Sequence, residues 1–338
     1  MTDMLTFTFL GTSSGVPTKT RNVSGLALQT SLSKKWLLID AGEATQHRLQ
    51  HIGLSTHELA MVCITHAHGD HCYGLPGLLA SASMGKRTEP LILIAPQKVL
   101  DWFSATVKLT DLHLSYEVIL RDSSSVLEQP IELMAGVWVQ AHALVHRVEC
   151  YAYAFTVQHS SRKLNTEALQ QLGLPAGRSW KALQYGQDVQ FNEQTLHSCD
   201  FVQNHTTQVK AIIAGDNAAP DVLTQACQNA DVLVHEATYL QAVLDKVGSG
   251  PMHSSAKLVA EFAQSVSLPN LVLTHFSPRH HGDAGQAAIE QEVKAYYGGT
   301  VFLADDLKRY CLDDDGILTA VASDFLSDKI AKRQNPAV

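Results

Sequence analysis

Apolar residues along the chain come in short runs broken by polar loops, and the runs differ in kind. Leu5 to Leu10 is a β-prone run that ends in GTSSGVPTKTRN, where Gly, Ser, Thr and Pro are too dense for a strand to continue. Leu26 to Thr30 and Trp36 to Asp40 predict further strands of a meander, after which DAGEATQHRLQHIGL shifts to helical period. Met61 to Thr65 reads as a short buried strand. It delivers the chain into HAHGDHCYGLPGLLASAS, a polar loop followed by a helix. Leu91 to Ala95 and Trp138 to Ala143 predict strands, with a helix over Val99 to Lys108. In the second half, Val209 to Ala214, Val232 to His235 and Leu271 to Thr274 predict strands separated by helical segments at Asp221 to Asn229 and Ala256 to Val266. This alternation predicts an α/β fold with sheets covered by helices. The likeness of the halves, strands ending in GD or TH, predicts a duplicated sandwich and not two independent domains. Residues 158–190 are polar and carry GLPAG, which predicts an arm projecting from the domain. Residues 313–338 read as an appended tail.

Composition narrows the function classes. A chain of 338 residues with 45% hydrophobic residues fills a real core, which excludes disorder throughout. The net charge of −8, from 25 basic and 33 acidic residues, supplies no global field for nucleic acid or anionic membrane. Any RNA must then be held by a local basic patch. Six cysteines without a C-x-x-C pair argue against a disulfide scaffold or a zinc ribbon and fit a reducing, cytoplasmic setting. The start, MTDMLTF, lacks the positive charge of a signal peptide, and no run of eighteen apolar residues predicts a membrane span. Seventeen histidines stand out, and histidine is the commonest protein ligand for zinc-like metals.

The strongest local signal is His66-Ala67-His68-Gly69-Asp70-His71. Two histidines one residue apart point the same way from an extended segment, and a tight turn at Gly69 returns Asp70 and His71 to the same pocket. Such a cluster is costly to bury without a cation. His146, Asp216, His235 and His275 each follow a run of β-formers. Each alone is more often a satisfied structural residue, but their repeated placement at strand ends predicts convergence on the His-rich loop. Two metals would need a bridging carboxylate, for which Asp216 is the natural candidate. The ligand types favour Zn2+, with Mn2+ also compatible.

At this level of detail the sequence resembles the metallo-β-lactamase superfamily and, within it, the ribonuclease Z family of transfer-RNA 3′-processing endonucleases. The resemblance rests on FLGTSSGVPTKTRN, DAGEATQHRL, the His66 to His71 run, the Cys150-Tyr151 pair after His146, Gly215-Asp216, His235-Glu236-Ala237-Thr238 and His253-Ser254-Ser255, all in the family's order and covering about residues 4 to 312. It implies an αββα sandwich of two mixed sheets with helices outside, residues 1–312 forming the catalytic domain and the protruding arm acting as an exosite. It implies one metal bound by His66, His68, His146 and Asp216 and a second by Asp70, His71, Asp216 and His275, with His235 outside the ligand set. Asp70 is then the general base, and His253, oriented by Glu236, the general acid. Lys19, Arg21 and Asn22 are implied to contact nucleotides around the scissile bond. The family's Gly-Pro pair in the arm is replaced here by Gly177-Arg178, and Arg178 and Lys181 offer charge to phosphates. The resemblance further implies a homodimer acting on a transfer-RNA precursor.

Taken singly, Lys19 and Arg21 would more often be solvated charges, and Glu236 with His235 could merely end a strand. The competing expectation is a hydrolase of the same fold acting on a small phosphodiester or other ester. A non-catalytic binding module fits less well, because the ligand set is intact.

Overall fold

The computed structural model describes residues 3–321. Of the described residues, 3–157 together with 209–321 form one compact unit, and Gln158–Gln208 form a second.

The first unit is built on two sheets. One has eight strands, in the order Leu318–Val321, Arg309–Asp313, Asp3–Gly11, Gly25–Thr30, Trp36–Ala41, Leu59–Cys63, Leu91–Ala95 and Val118–Asp122. Its pairing is antiparallel as far as Trp36–Ala41 and parallel from there on. The other has seven, in the order Thr300–Leu303, Asn270–Thr274, Val232–Glu236, Val202–Ala214, Tyr151–Leu164, Val137–Ala143 and Ile131–Met134. Here Val202–Ala214 through Thr300–Leu303 pair in parallel, and the strands at the opposite edge are antiparallel.

Strand alternation explains the layering. In the continuous apolar run of Trp36–Ala41, Leu37 and Ile39 pack into a core shared with Val139, Tyr153, Phe155, Val232 and Val272 of the other sheet. Trp36 and Leu38 face the opposite way, into a second core with Leu78 and Leu79 of the helix Leu75–Met84 and Val99 and Phe103 of the helix Gln97–Leu109. Leu233 and Leu271 face a third core, filled by Val259, Phe262 and Ala263 of the helix Ala256–Ser265 and by Ile289 and Val293 of Asp283–Tyr296. Three apolar layers between four structural layers give the expected αββα sandwich. Each large aliphatic side chain so buried stabilises it by about 1.5–3 kcal/mol. Strands buried on both faces read as unbroken apolar runs, which is why they were the most legible elements.

Other expectations fared differently. Asp221 to Asn229 forms only a short 3-10 turn, Pro220–Leu223, followed by irregular turns. Leu223, Ala226, Cys227 and Ala230 still bury a helix-spaced apolar face, so the period is genuine although the backbone winds otherwise. The expected tail begins inside a hairpin, because Leu318–Val321 pairs with Arg309–Asp313 at the edge of the eight-stranded sheet. The remainder of that tail, 322–338, lies outside the described residues. The second unit extends beyond residue 190 to Gln208 and has a small core of its own, with Leu169, Leu174, Leu183 and Leu196 packed against Trp180 and Phe191.

Two glycines let the His-rich loop close onto the strand Trp36–Ala41. A Cβ on Gly42 would lie 2.2 Å from the carbonyl oxygen of Asp70, and one on Gly74 would lie 2.1 Å from that of Gly42. The Gly74 amide also donates to the Ala41 carbonyl at 2.8 Å. We therefore expect Gly42→Ala to lower the unfolding free energy by about 1–3 kcal/mol, as overpacking does, and to weaken metal binding by displacing Asp70. Denaturant unfolding and metal titration check this; a variant with wild-type values in both would contradict the packing argument.

Candidate metal centre

The candidate residues lie at the C-terminal ends of strands or just beyond them. Asp40 lies in Trp36–Ala41, His66 to His71 follow Leu59–Cys63, His146 follows Val137–Ala143, Asp216 follows Val202–Ala214 and His275 follows Asn270–Thr274. Ligand-type atoms of His66, His68, His146 and Asp216 all fall within 4.8 Å of one another, as do those of Asp70, His71 and His275. Asp216 joins the two groups. Its Oδ2 lies 3.5 Å from His66 Nε2 and 3.7 Å from His146 Nε2, while its Oδ1 lies 3.4 Å from His71 Nε2 and 3.3 Å from His275 Nε2. Asp70 Oδ2 stands 3.4 Å from His275 Nε2 and 3.6 Å from His71 Nε2.

Second partners fix which ring nitrogens face inward. His146 Nδ1 is 2.9 Å from the Met252 carbonyl, which can only accept, so Nδ1 carries the hydrogen and Nε2 presents a lone pair. Thr65 Oγ1 donates to Asp40 at 2.9 Å and is thereby free to accept from His66 Nδ1 at 3.0 Å. Thr238 repeats the arrangement across the site, donating to Glu236 and accepting from His275 Nδ1 at 3.0 Å. Asp40 holds His71 Nδ1 at 2.7 Å and also accepts from the Thr65 amide at 2.7 Å. The inward nitrogens then crowd together, with His66 Nε2 and His68 Nδ1 at 3.0 Å, His146 Nε2 and His68 Nδ1 at 3.2 Å, and His71 Nε2 and His275 Nε2 at 3.2 Å. Converging lone pairs beside carboxylates are what cations satisfy, and this donor set fits them.

The electrostatics agree. Burial, reinforced by the His71 neighbour, pushes the His66 imidazole well below its ordinary pKa, and burial lowers His68 and His146 too. Burial opposes ionisation of Asp70 and Asp216, yet His71 and His275 outweigh it and hold both carboxyls well below the usual range. His71 is also disfavoured as a cation by burial, but the carboxylates of Asp216, Asp40 and Asp70 raise it to about 10. Three carboxylates thus draw positive charge into the pocket, and a proton on His71 competes with metal for it.

His253 lies beside this cluster with Nδ1 3.0 Å from Glu236 and 3.7 Å from Asp216. Burial works against its charge, but Glu236 raises its pKa to about 9. Glu236 is itself held by the Asn217 amide at 2.7 Å and by Thr238. His235 is buried elsewhere, 2.8 Å from the Glu236 carbonyl and 3.1 Å from Asn217 Nδ2.

The residues expected at RNA separate. Lys19 is exposed. Arg21 and Asn22 are buried and committed to the chain itself. Arg21 Nη1 donates to Thr12 Oγ1 at 2.6 Å and the Ala304 carbonyl at 2.9 Å, and Asn22 Nδ2 donates to the Glu43 carbonyl at 2.8 Å. Their chemistry is to brace the loop, because a buried guanidinium must spend its hydrogen bonds locally. Arg178 and Lys181 are exposed on the short helix Arg178–Gln184 of the second unit.

Sequence reasoning did not single out Asp40, Thr65, Thr238 or the Met252 carbonyl as supports of the site. The available signal was the Asp40-Ala41-Gly42 motif at the end of the strand, where Asp40 adopts φ 60°, a left-handed conformation that an aspartate tolerates better than most residues. We expect Asp40→Ala and Thr238→Val each to weaken metal binding about 10- to 100-fold, the usual effect of losing a group that orients a ligand. Competition against a chromophoric chelator measures this, and unchanged affinity would contradict the orienting role.

Comparison with known proteins places this geometry. Residues 5–293 match the family model described as Anti-Pycsar protein Apyc1. A ribonuclease Z of Marinobacter nauticus is 45% identical over 320 residues, covering 91% of this chain and 97% of that relative. A ribonuclease Z of Pseudomonas putida is 43% identical over 317 residues, covering 93% and 98%. Among solved structures, the short form of human tRNase Z superposes with a TM-score of 0.60 at 25% identity, covering 90% of this chain and 98% of that one. A metallo-β-lactamase-fold protein of Bacillus subtilis superposes with a TM-score of 0.63 at 19% identity, over 91% and 100%, a likeness of fold alone. The chain belongs to the ribonuclease Z family and has the metallo-β-lactamase fold.

Proposed function

We propose that this protein is a dinuclear zinc endoribonuclease that removes the 3′ trailer of transfer-RNA precursors and leaves a 3′-hydroxyl. The observation that carries the reading is Asp216, whose two oxygens face two separate groups of ligand atoms beside the His253–Glu236 pair. His66, His68, His146 and Asp216 would hold one ion, and Asp70, His71, His275 and Asp216 the other. When bound, a pair of divalent cations lowers the pKa of a shared water and neutralises charge on the phosphoryl oxygens.

The chain's own residues do the rest. Asp70 accepts the proton of the attacking water, and its carboxylate is aimed by the Gly15 amide, which donates to it at 2.7 Å. As the phosphorus–O3′ bond breaks, the leaving oxygen takes a proton from His253, whose Nδ1 is engaged by Glu236 so that Nε2 is the donor. Thr238 joins this acid to the metal ligands, since its hydroxyl meets both Glu236 and His275.

Lys19, exposed on the loop whose Gly15 amide holds Asp70, and Arg178 with Lys181 in the second unit supply the cations that meet RNA phosphates, which reconciles RNA binding with a net charge of −8. No helix among the described residues is long and apolar enough to cross a membrane. The active assembly is a homodimer in this reading, with cytoplasmic transfer-RNA precursors as substrate.

On a 3′-extended precursor we expect Asp70→Ala to abolish cutting and His253→Ala to lower kcat by about 10²–10⁴. Chelation should remove activity and Zn2+ restore it. Turnover of bis(p-nitrophenyl) phosphate with no cutting of the precursor would contradict the RNA assignment and favour a small phosphodiester as substrate.

A further inference from the structure

The loop between Gly11 and Val23 is tied to the rest of the unit at its start, at its end and at the turn between them. At its start, the Ser14 amide donates to the Phe276 carbonyl at 3.0 Å, and the next residue, Gly15, donates to Asp70. At its end, Arg21 is fixed by Thr12 and the Ala304 carbonyl, with its guanidinium 5.4 Å from the centre of the Phe276 ring. Between them the chain makes a tight turn in which the Thr18 amide donates to the Arg21 carbonyl at 2.7 Å and the Arg21 amide donates back to Thr18 Oγ1 at 3.1 Å. Lys19 and Thr20 form its exposed tip.

The third tie comes from His281, a half-buried histidine to which the mechanism gives no part. Its Nε2 is 2.8 Å from the Phe276 carbonyl. A carbonyl can only accept, so Nε2 carries the hydrogen and Nδ1 offers a lone pair. That lone pair faces Thr18 Oγ1 at 3.3 Å, and the hydroxyl proton is shared between it and the Arg21 carbonyl at 3.4 Å. The Phe276 carbonyl therefore receives both Ser14, at the end of the loop that reaches Asp70, and His281, which reaches the end that carries Lys19.

We propose that His281 is a positioning residue: bonded to the Phe276 carbonyl and to Thr18, it clamps the turn that presents Lys19 and so sets the grip on the substrate phosphate beside the metal centre. The proposal rests on the RNA reading above. Because Ser14 and Gly15 keep their own bonds, loss of His281 frees the lysine tip while Asp70 stays held. The effect should accordingly fall on KM and leave kcat nearly intact.

A double-mutant cycle tests this. On the 3′-extended precursor, Lys19→Ala and His281→Ala should each raise KM about tenfold with little change in kcat, and the double variant should raise it no more than either alone, as coupled residues do. His281→Asn should restore part of the affinity, because its oxygen stands where Nδ1 stood and can accept from Thr18. Thr18→Val removes the same bond from the other side and should match His281→Ala, which keeps the test open if the latter folds poorly. Losses that multiply to about a hundredfold, the result for independent sites, overturn the clamp while leaving the RNA reading intact. So does a fall in kcat without a rise in KM, or an asparagine variant no better than alanine. A wild-type protein that does not cut the precursor overturns the RNA reading and this proposal together.

Discussion

Everything at the centre depends on where the imidazole hydrogens are placed. An imidazole binds a cation only through an unprotonated nitrogen, so each ligand histidine needs an acceptor on its far side. Thr65 and Thr238 supply this by the same device, each donating to a buried carboxylate and thereby turning a lone pair towards a histidine Nδ1. The carboxylates, Asp40 and Glu236, sit at the ends of strands in different sheets. The pairing of the two sheets over their shared apolar core is what brings these two halves of the support together. Packing and chemistry are therefore one constraint. A shift of either sheet by a fraction of an ångström would misalign the lone pairs that Asp216 sits between.

That dependence explains what could be read from the sequence. His66 to His71 is contiguous, so its convergence is local and visible as a pattern. His146, Asp216 and His275 were legible because each follows a run of β-formers, and Val202–Ala214 and Asn270–Thr274, which run parallel in one sheet, end on the same side. The supports were not legible in this way. Thr65 and Thr238 look like ordinary strand-end threonines, and the role of Met252 is played by its backbone. Their function comes from which element lies opposite, which periodicity does not encode. Arg21 and Asn22 illustrate the converse. Their charge and polarity read as surface features, but the fold buries both and bonds them to Thr12, Ala304 and Glu43, with Lys19 at the exposed tip of the loop.

Among the elements, unbroken apolar runs were easy to read and amphipathic or edge strands were not. Val118–Asp122 is largely unburied and lies at an edge, so it lacks the apolar signature. Tyr151–Leu164 alternates alanine with tyrosine and then turns polar, which hides a long strand. The charge of the chain is likewise a poor guide to its chemistry. Three carboxylates around His71 concentrate negative charge at one point, and cations there reverse the local sign that a phosphodiester meets.

The central claim is that Asp216 lies between two metal ions held by the two ligand groups. X-ray diffraction from crystals of the zinc-loaded protein, collected on both sides of the zinc absorption edge, tests it directly. The account predicts two anomalous peaks flanking the Asp216 carboxylate, one against His66, His68 and His146 and the other against Asp70, His71 and His275. A single peak, or zinc bound away from Asp216, would contradict it.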